Sequence, residues 1–141
     1  WNHLDGRYHL IDYLCVPARR RNGGIGARLL RMAIDRYPAS AVFLGESEAP
    51  TGDPARDEMI LRRLGFYRRC GAHTLGYDCA LFGVHFKTIC WAEPMPPEEE
   101  ILRKHQEIYL NKFGRERYER FIQLPLRPGE AIHPVTDWTE D

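Results

Sequence analysis

Between residues 8 and 16, apolar and aromatic side chains (Tyr8, Leu10, Ile11, Tyr13, Leu14, Cys15, Val16) fill both alternating faces, which predicts a strand covered on each side. Asp12 breaks the pattern on the face of Leu10, Leu14 and Val16, and a carboxylate there is costly unless hydrogen-bonded or open to a cleft. Pro17 ends the strand. From Leu29 the period becomes helical: Leu29, Leu30, Ala33, Ile34 and Tyr37 share one side, Arg28, Arg31 and Asp35 take the other, and Pro38 closes the run. Ala41 to Leu44 is a short apolar strand leading into Gly45-Glu46-Ser47-Glu48. Strand, helix and strand in this order predict a crossover with parallel strands.

Asp53-Pro54 is a helix start, an N-cap followed by proline at the first helical position. Met59, Ile60, Leu64, Tyr67 and Cys70 then fall largely on one face, with Gly65 marking either a stop near Leu64 or a weak point in a longer helix. Two β segments follow, Thr74 to Tyr77 and Val84 to Trp91, with Leu81 to Gly83 between them. Glu98-Glu99-Glu100 suit the first turn of a helix. Its stripe is Ile101, Leu102, His105, Ile108, Tyr109 and Phe113, and Gly114 stops it. Tyr118, Phe121 and Ile122 predict a second short helix, and the proline- and acid-rich stretch from Pro125 to Asp141 predicts a loose tail. The expected organisation is a core over 1–93, a helical extension of the same domain over 94–124, and the tail over 125–141.

At 141 residues the chain is sized for one domain. Its 20 basic and 20 acidic residues give zero net charge, so nothing global favours nucleic acid or an anionic membrane, and neither is expected as a partner. Apolar runs fall far short of the roughly 20 residues that span a bilayer, and no basic-then-apolar leader opens the sequence, so a soluble, cytoplasmic protein is expected. Cys15, Cys70, Cys79 and Cys90 lack C-x-x-C or zinc-finger spacing. They predict core thiols in a reducing compartment, with no metal.

The remaining signal is Arg21-Asn22-Gly23-Gly24-Ile25-Gly26-Ala27, where strand hands over to helix. Helix N-termini present unpaired N–H groups and partial positive charge, and glycine removes the Cβ that would hinder an approaching anion. Three explanations compete. One is a turn needed only for packing. Another is an NAD-type dinucleotide site, with Glu46 as the acid about 20 residues on, although Leu29 stands where the third glycine belongs.

The third comes from likeness. Leu14-Cys15-Val16-Pro17, then Arg21-x-x-Gly24-x-Gly26, then Ala27-x-Leu29-Leu30, resembles motif A of the GCN5-related N-acetyltransferases, the GNAT superfamily. Phe66-Tyr67-Arg68-Arg69-Cys70-Gly71-Ala72 resembles the Y-x-x-x-G-F that ends the family's next helix, although Ala72 replaces the phenylalanine. Arg62-Arg63 and Leu81 to Val84 are similar to segments of bacterial members.

The resemblance implies an α/β (α+β) fold with a mixed central sheet and flanking helices, without the family's usual N-terminal strands and with an extra C-terminal helix. It implies acetyl-CoA as co-substrate, held by Leu14, Cys15, Val16, Arg21, Asn22, Gly23, Gly24, Ile25, Gly26 and Ala27. The reaction implied is direct acetyl transfer to a primary amine of a small molecule or peptide. An alkylammonium must lose a proton before it attacks, and the departing thiolate must gain one. Tyr67 is the implied acid. Asp12 and Glu46 are candidate bases, with Glu48 as a third. This register favours a helix running through Gly65 to about Cys70. A CoA-binding module without turnover is the alternative, and the C-terminal helix serves as either a cap or a homodimer contact.

Overall fold

The computed structural model describes residues 2–4, 7–11 and 25–134. Its elements are β1 (Asn2–Leu4), β2 (Tyr8–Leu10), α1 (Ile25–Asp35), β3 (Val42–Glu48), α2 (Pro54–Arg69), β4 (His73–Leu81), β5 (Val84–Trp91), α3 (Glu98–Phe113), α4 (Arg115–Phe121) and β6 (Ile122–Leu126). The strands make one mixed sheet in the order β1-β2-β3-β5-β4-β6. β2 and β3 run parallel across the α1 crossover, and the other neighbours are antiparallel. This is a mixed α+β architecture with flanking helices, the coarse fold class that the resemblance implies.

Alternation along the central strands sorts the core into two layers. Phe43 of β3 and Ile89 and Trp91 of β5 pack with Leu30 of α1 and with Ile60 and Leu64 of α2. Val42, Leu44 and Cys90 face the other way, onto Ile101, Ile108 and Tyr109 of α3. The two layers are separated only by the thickness of the sheet, so adjacent residues of β3 serve different sites.

Helix α2 begins as its sequence dictates: Asp53 is the N-cap, its carboxylate accepts from Ala55 N at 3.2 Å, and Pro54 opens the first turn. It runs unbroken through Gly65, and Cys70 is its C-cap. Gly71 follows at φ +97°, a conformation glycine adopts without strain. Trp91 Nε1 donates to Cys70 O at 3.2 Å, fastening the end of α2 to β5.

The C-terminal third departs from expectation. Ile122, expected in a helix, opens β6, and Pro125, expected in a loose tail, lies within that strand. β6 pairs with β4 at the edge of the sheet, the position where a residue without an N–H is tolerated. Beyond it, Gln123 donates to Glu130 Oε2 and to Ala131 O and accepts from His133 N, so this segment too is fastened. Residues 135–141 lie outside the described residues. β4 is longer than the expected Thr74 to Tyr77 because a register irregularity between Thr74 and Asp78 absorbs its broken pattern. The β4–β5 hairpin turns on Phe82 at φ 50° and Gly83 at φ 81°, the positive-φ pair of a tight two-residue turn. Phe82 is held there by stacking on Phe121 at 5.4 Å and by an edge contact with Phe113 at 5.2 Å.

Candidate active site

Of the expected cofactor residues, Leu14, Cys15, Val16, Arg21, Asn22, Gly23 and Gly24 lie outside the described residues, as does the candidate base Asp12. Ile25, Gly26 and Ala27 form the first turn of α1, so the helix starts directly behind Gly23 and Gly24. The described pairing of β2 with β3 reaches Leu10↔Leu44, where Ile11 N also donates to Leu44 O at 2.7 Å. Gly45 to Glu48 extend past that point and keep their partners on β5.

Glu46 shares the face of Val42 and Leu44 and so meets α3. Its Oε2 lies 2.8 Å from His105 Nε2, and its Oε1 accepts from the Tyr109 hydroxyl at 2.7 Å. His105 Nδ1 in turn lies 3.0 Å from the Tyr77 hydroxyl of β4. The His105 side chain is fully buried, while the Glu46 side chain keeps 10% of its surface exposed. A buried carboxylate is tolerable when donors satisfy it, and here each oxygen has one. Burial pushes the Tyr77 phenol far above its ordinary range, with Cys79, Cys90, Glu46 and Glu98 adding to the effect. It therefore stays protonated and can bond to the imidazole.

Tyr67 lies on the opposite layer, near the end of α2. Its ring packs against Trp91, with centroids 5.8 Å apart, and against Phe66 at 5.5 Å. Burial raises its pKa, and the Arg63 guanidinium opposes that shift. Its hydroxyl has no hydrogen-bond partner among the described residues. A protonated, unbonded phenol is what a proton donor needs. The two expected catalytic groups thus lie on opposite faces of the sheet, Glu46 on β3 and Tyr67 against Trp91 of β5.

The third candidate base, Glu48, lies 3.9 Å from Arg56, and its side chain is 34% exposed. It lines an open hollow of about 360 Å³ with Arg56, His85 and Ile132. Beside it, Ser47 is buried on the α1–α2 face, and its hydroxyl has no partner among the described residues. Cys79 and Cys90 are buried free thiols and Cys70 is half-buried, as expected of core cysteines. Among the described residues no group of His, Cys, Asp and Glu could hold a metal ion, and no helix is long and apolar enough to cross a membrane.

His105, Tyr109 and Tyr77 escaped the sequence reading as site residues. The available signal was His105 itself, a titratable side chain set at helical spacing in the stripe of Ile101, Ile108 and Tyr109. No protein-family model and no curated protein matches the chain.

Proposed function

We propose that the protein is an acyltransferase that moves acetyl from acetyl-CoA to a primary amine, in the manner of the GNAT enzymes its glycine loop resembles. The observation that carries this reading is the start of α1 at Ile25, immediately behind Gly23 and Gly24, in the crossover between parallel strands β2 and β3. That arrangement turns the unpaired N–H groups and dipole of a helix N-terminus toward the ends of two strands, where open sheets take their ligands. In this reading Arg21 to Ala27 cradle the CoA pyrophosphate, and the thioester lies along β3 beyond Leu44.

Glu46 then acts from the α3 face of the sheet and Tyr67 from the α1–α2 face. Glu46 takes the proton of the attacking ammonium. The amine nitrogen bonds to the acetyl carbon, the carbon–sulfur bond breaks, and the Tyr67 hydroxyl gives its proton to the thiolate; the acylated nitrogen loses its second proton to solvent, and solvent returns a proton to Tyr67 and removes the one held by Glu46.

The test is release of free CoA thiol against a panel of small amines and lysine peptides. Glu46→Gln and Tyr67→Phe should each lower kcat by about 100-fold or more while leaving acetyl-CoA affinity intact. Full activity of Tyr67→Phe at every pH removes it as the acid. Thermal stabilisation by NADH and not by CoA would overturn the reading altogether. Stabilisation by CoA without turnover of any amine identifies a CoA-binding module instead.

A further inference from the structure

The C-terminal helix contributes more than cover to the face it packs on. Three elements converge at Glu46: β3 carries the carboxylate, α3 brings His105 and Tyr109, and β4 brings Tyr77. We propose that His105 is a positioning residue that holds the Glu46 carboxylate in place through the contact of its Nε2, so that α3 completes the catalytic base. The proposal rests on the acetyl-transfer reading above.

A carboxylate only accepts hydrogen bonds, so the proton between His105 Nε2 and Glu46 Oε2 belongs to the imidazole. In neutral His105 that leaves Nδ1 as an acceptor, and the Tyr77 hydroxyl donates to it. Tyr109 donates to the other carboxylate oxygen. Every donor in the chain therefore points toward Glu46, and the two bonds from α3 fix the orientation of its carboxylate. Each oxygen has two lone pairs, one of which is occupied, and the Glu46 side chain keeps 10% of its surface exposed. His105 has no exposed surface, so water does not substitute for its bond.

Packing alone does not call for this arrangement. His105 sits in a stripe with Ile101 and Ile108, where an apolar side chain of similar size would serve, and buried polar networks are often replaceable by apolar groups at no cost in stability. The other titratable groups facing the pair are Tyr77 and Cys79 on β4 and Tyr109 on α3, with Cys90 on β5 and Glu98 on α3 near Tyr77. Burial pushes Tyr77, Cys79 and Cys90 upward, so these three remain neutral near neutral pH and leave the carboxylate to act as the base.

His105→Leu, His105→Gln and Tyr109→Phe test the proposal through the pH dependence of kcat/KM. His105→Leu removes a donor to the charged form, so the acid limb should move up by about one pH unit and kcat at neutral pH should fall by about 10-fold or more, with KM for acetyl-CoA unchanged. His105→Gln keeps an N–H near the position of Nε2 and should return the limb to within about 0.3 unit of wild type. Tyr109→Phe should shift it less than His105→Leu does. A folded His105→Leu protein with an unmoved acid limb overturns the proposal. Should that variant fail to fold, an unmoved limb in Tyr109→Phe overturns it equally. Wild-type protein that acetylates no amine overturns the acetyl-transfer reading itself. Carboxyl 13C titration of Glu46 needs no turnover and then decides the coupling separately, an identical curve in wild type and Tyr109→Phe counting against it.

Discussion

The two faces of the sheet hold the same strands and do different work. The face under α1 and α2 is filled by Phe43, Ile89, Trp91, Leu30, Ile60 and Leu64, with aromatic contacts and a phenol that packs without a bonding partner among the described residues. The face under α3 is built around Leu44, Leu10, Ile101 and Ile108, yet threads a carboxylate, an imidazole and two phenols through that apolar setting. One face holds mainly by area and shape, although the His9 imidazole is buried in it as well. The other adds directional bonds whose loss leaves charge or donors stranded.

The comparison breaks most visibly at Phe43, which is 2% exposed and touches Tyr37 and His9. Phe43→Ala should cost about 3–5 kcal/mol in urea unfolding, because a large ring is lost from a packed layer. Next is Glu46→Leu, which strands the His105 and Tyr109 donors and should cost about 1–3 kcal/mol. Adding His105→Phe to the same chain should recover part of that loss, with a coupling of at least about 0.5 kcal/mol in a double-mutant cycle. Additive losses would show that the two groups are independent.

The third test is alkaline pH. Cys79 is pushed far above its ordinary value of 9.0 and Cys90 up to about 12, both chiefly by burial, and Tyr77 is raised similarly. These acids stay protonated in the folded chain after they ionise in the unfolded one. Their stabilising effect is therefore complete below pH 9 and is lost as pH rises above it. The melting temperature should fall by roughly 5 °C or more between pH 9 and 11, less so in Cys79→Ala. Tyr67→Phe should have the smallest effect on stability, within about 0.5 kcal/mol, since its hydroxyl has no bond to lose among the described residues. That result, together with lost turnover, would assign Tyr67 the proposed chemical role apart from its packing.

Local signals in the sequence carried much of this architecture. Asp53-Pro54 fixes the start of α2 and Gly114 the end of α3, because capping chemistry is decided within a few residues. The crossover from β2 through α1 to β3 follows from a change of period that needs no tertiary information. β6 was hidden by Pro125, whose acceptability depends on which edge of the sheet it reaches. Glu46 stood out as an acid at a strand end, but its partners did not, since His105 is 59 residues away and Tyr109 is 63. Glu98 tells a similar story. Its position suggested a helix-dipole contact, and it instead docks α3 by accepting from Gly76 N at 2.8 Å, where a Cβ on residue 76 would collide with its carboxylate.

The distance from Glu46 to His105 along the chain also orders events during synthesis. A ribosome releasing residues in sequence exposes β3 with its acidic side chain well before α3 exists to cover it, and domains of this size gain non-local contacts late. The nascent chain therefore passes through an interval with Val42, Leu44 and Glu46 open to water on one face, while the α1–α2 layer already has its own partners. A protein stopped before Tyr109 would carry the glycine loop and Tyr67 and still lack one of the two donors to Glu46. Arrested chains of increasing length should acquire resistance to protease in two steps, the second only after the C-terminal helix has emerged.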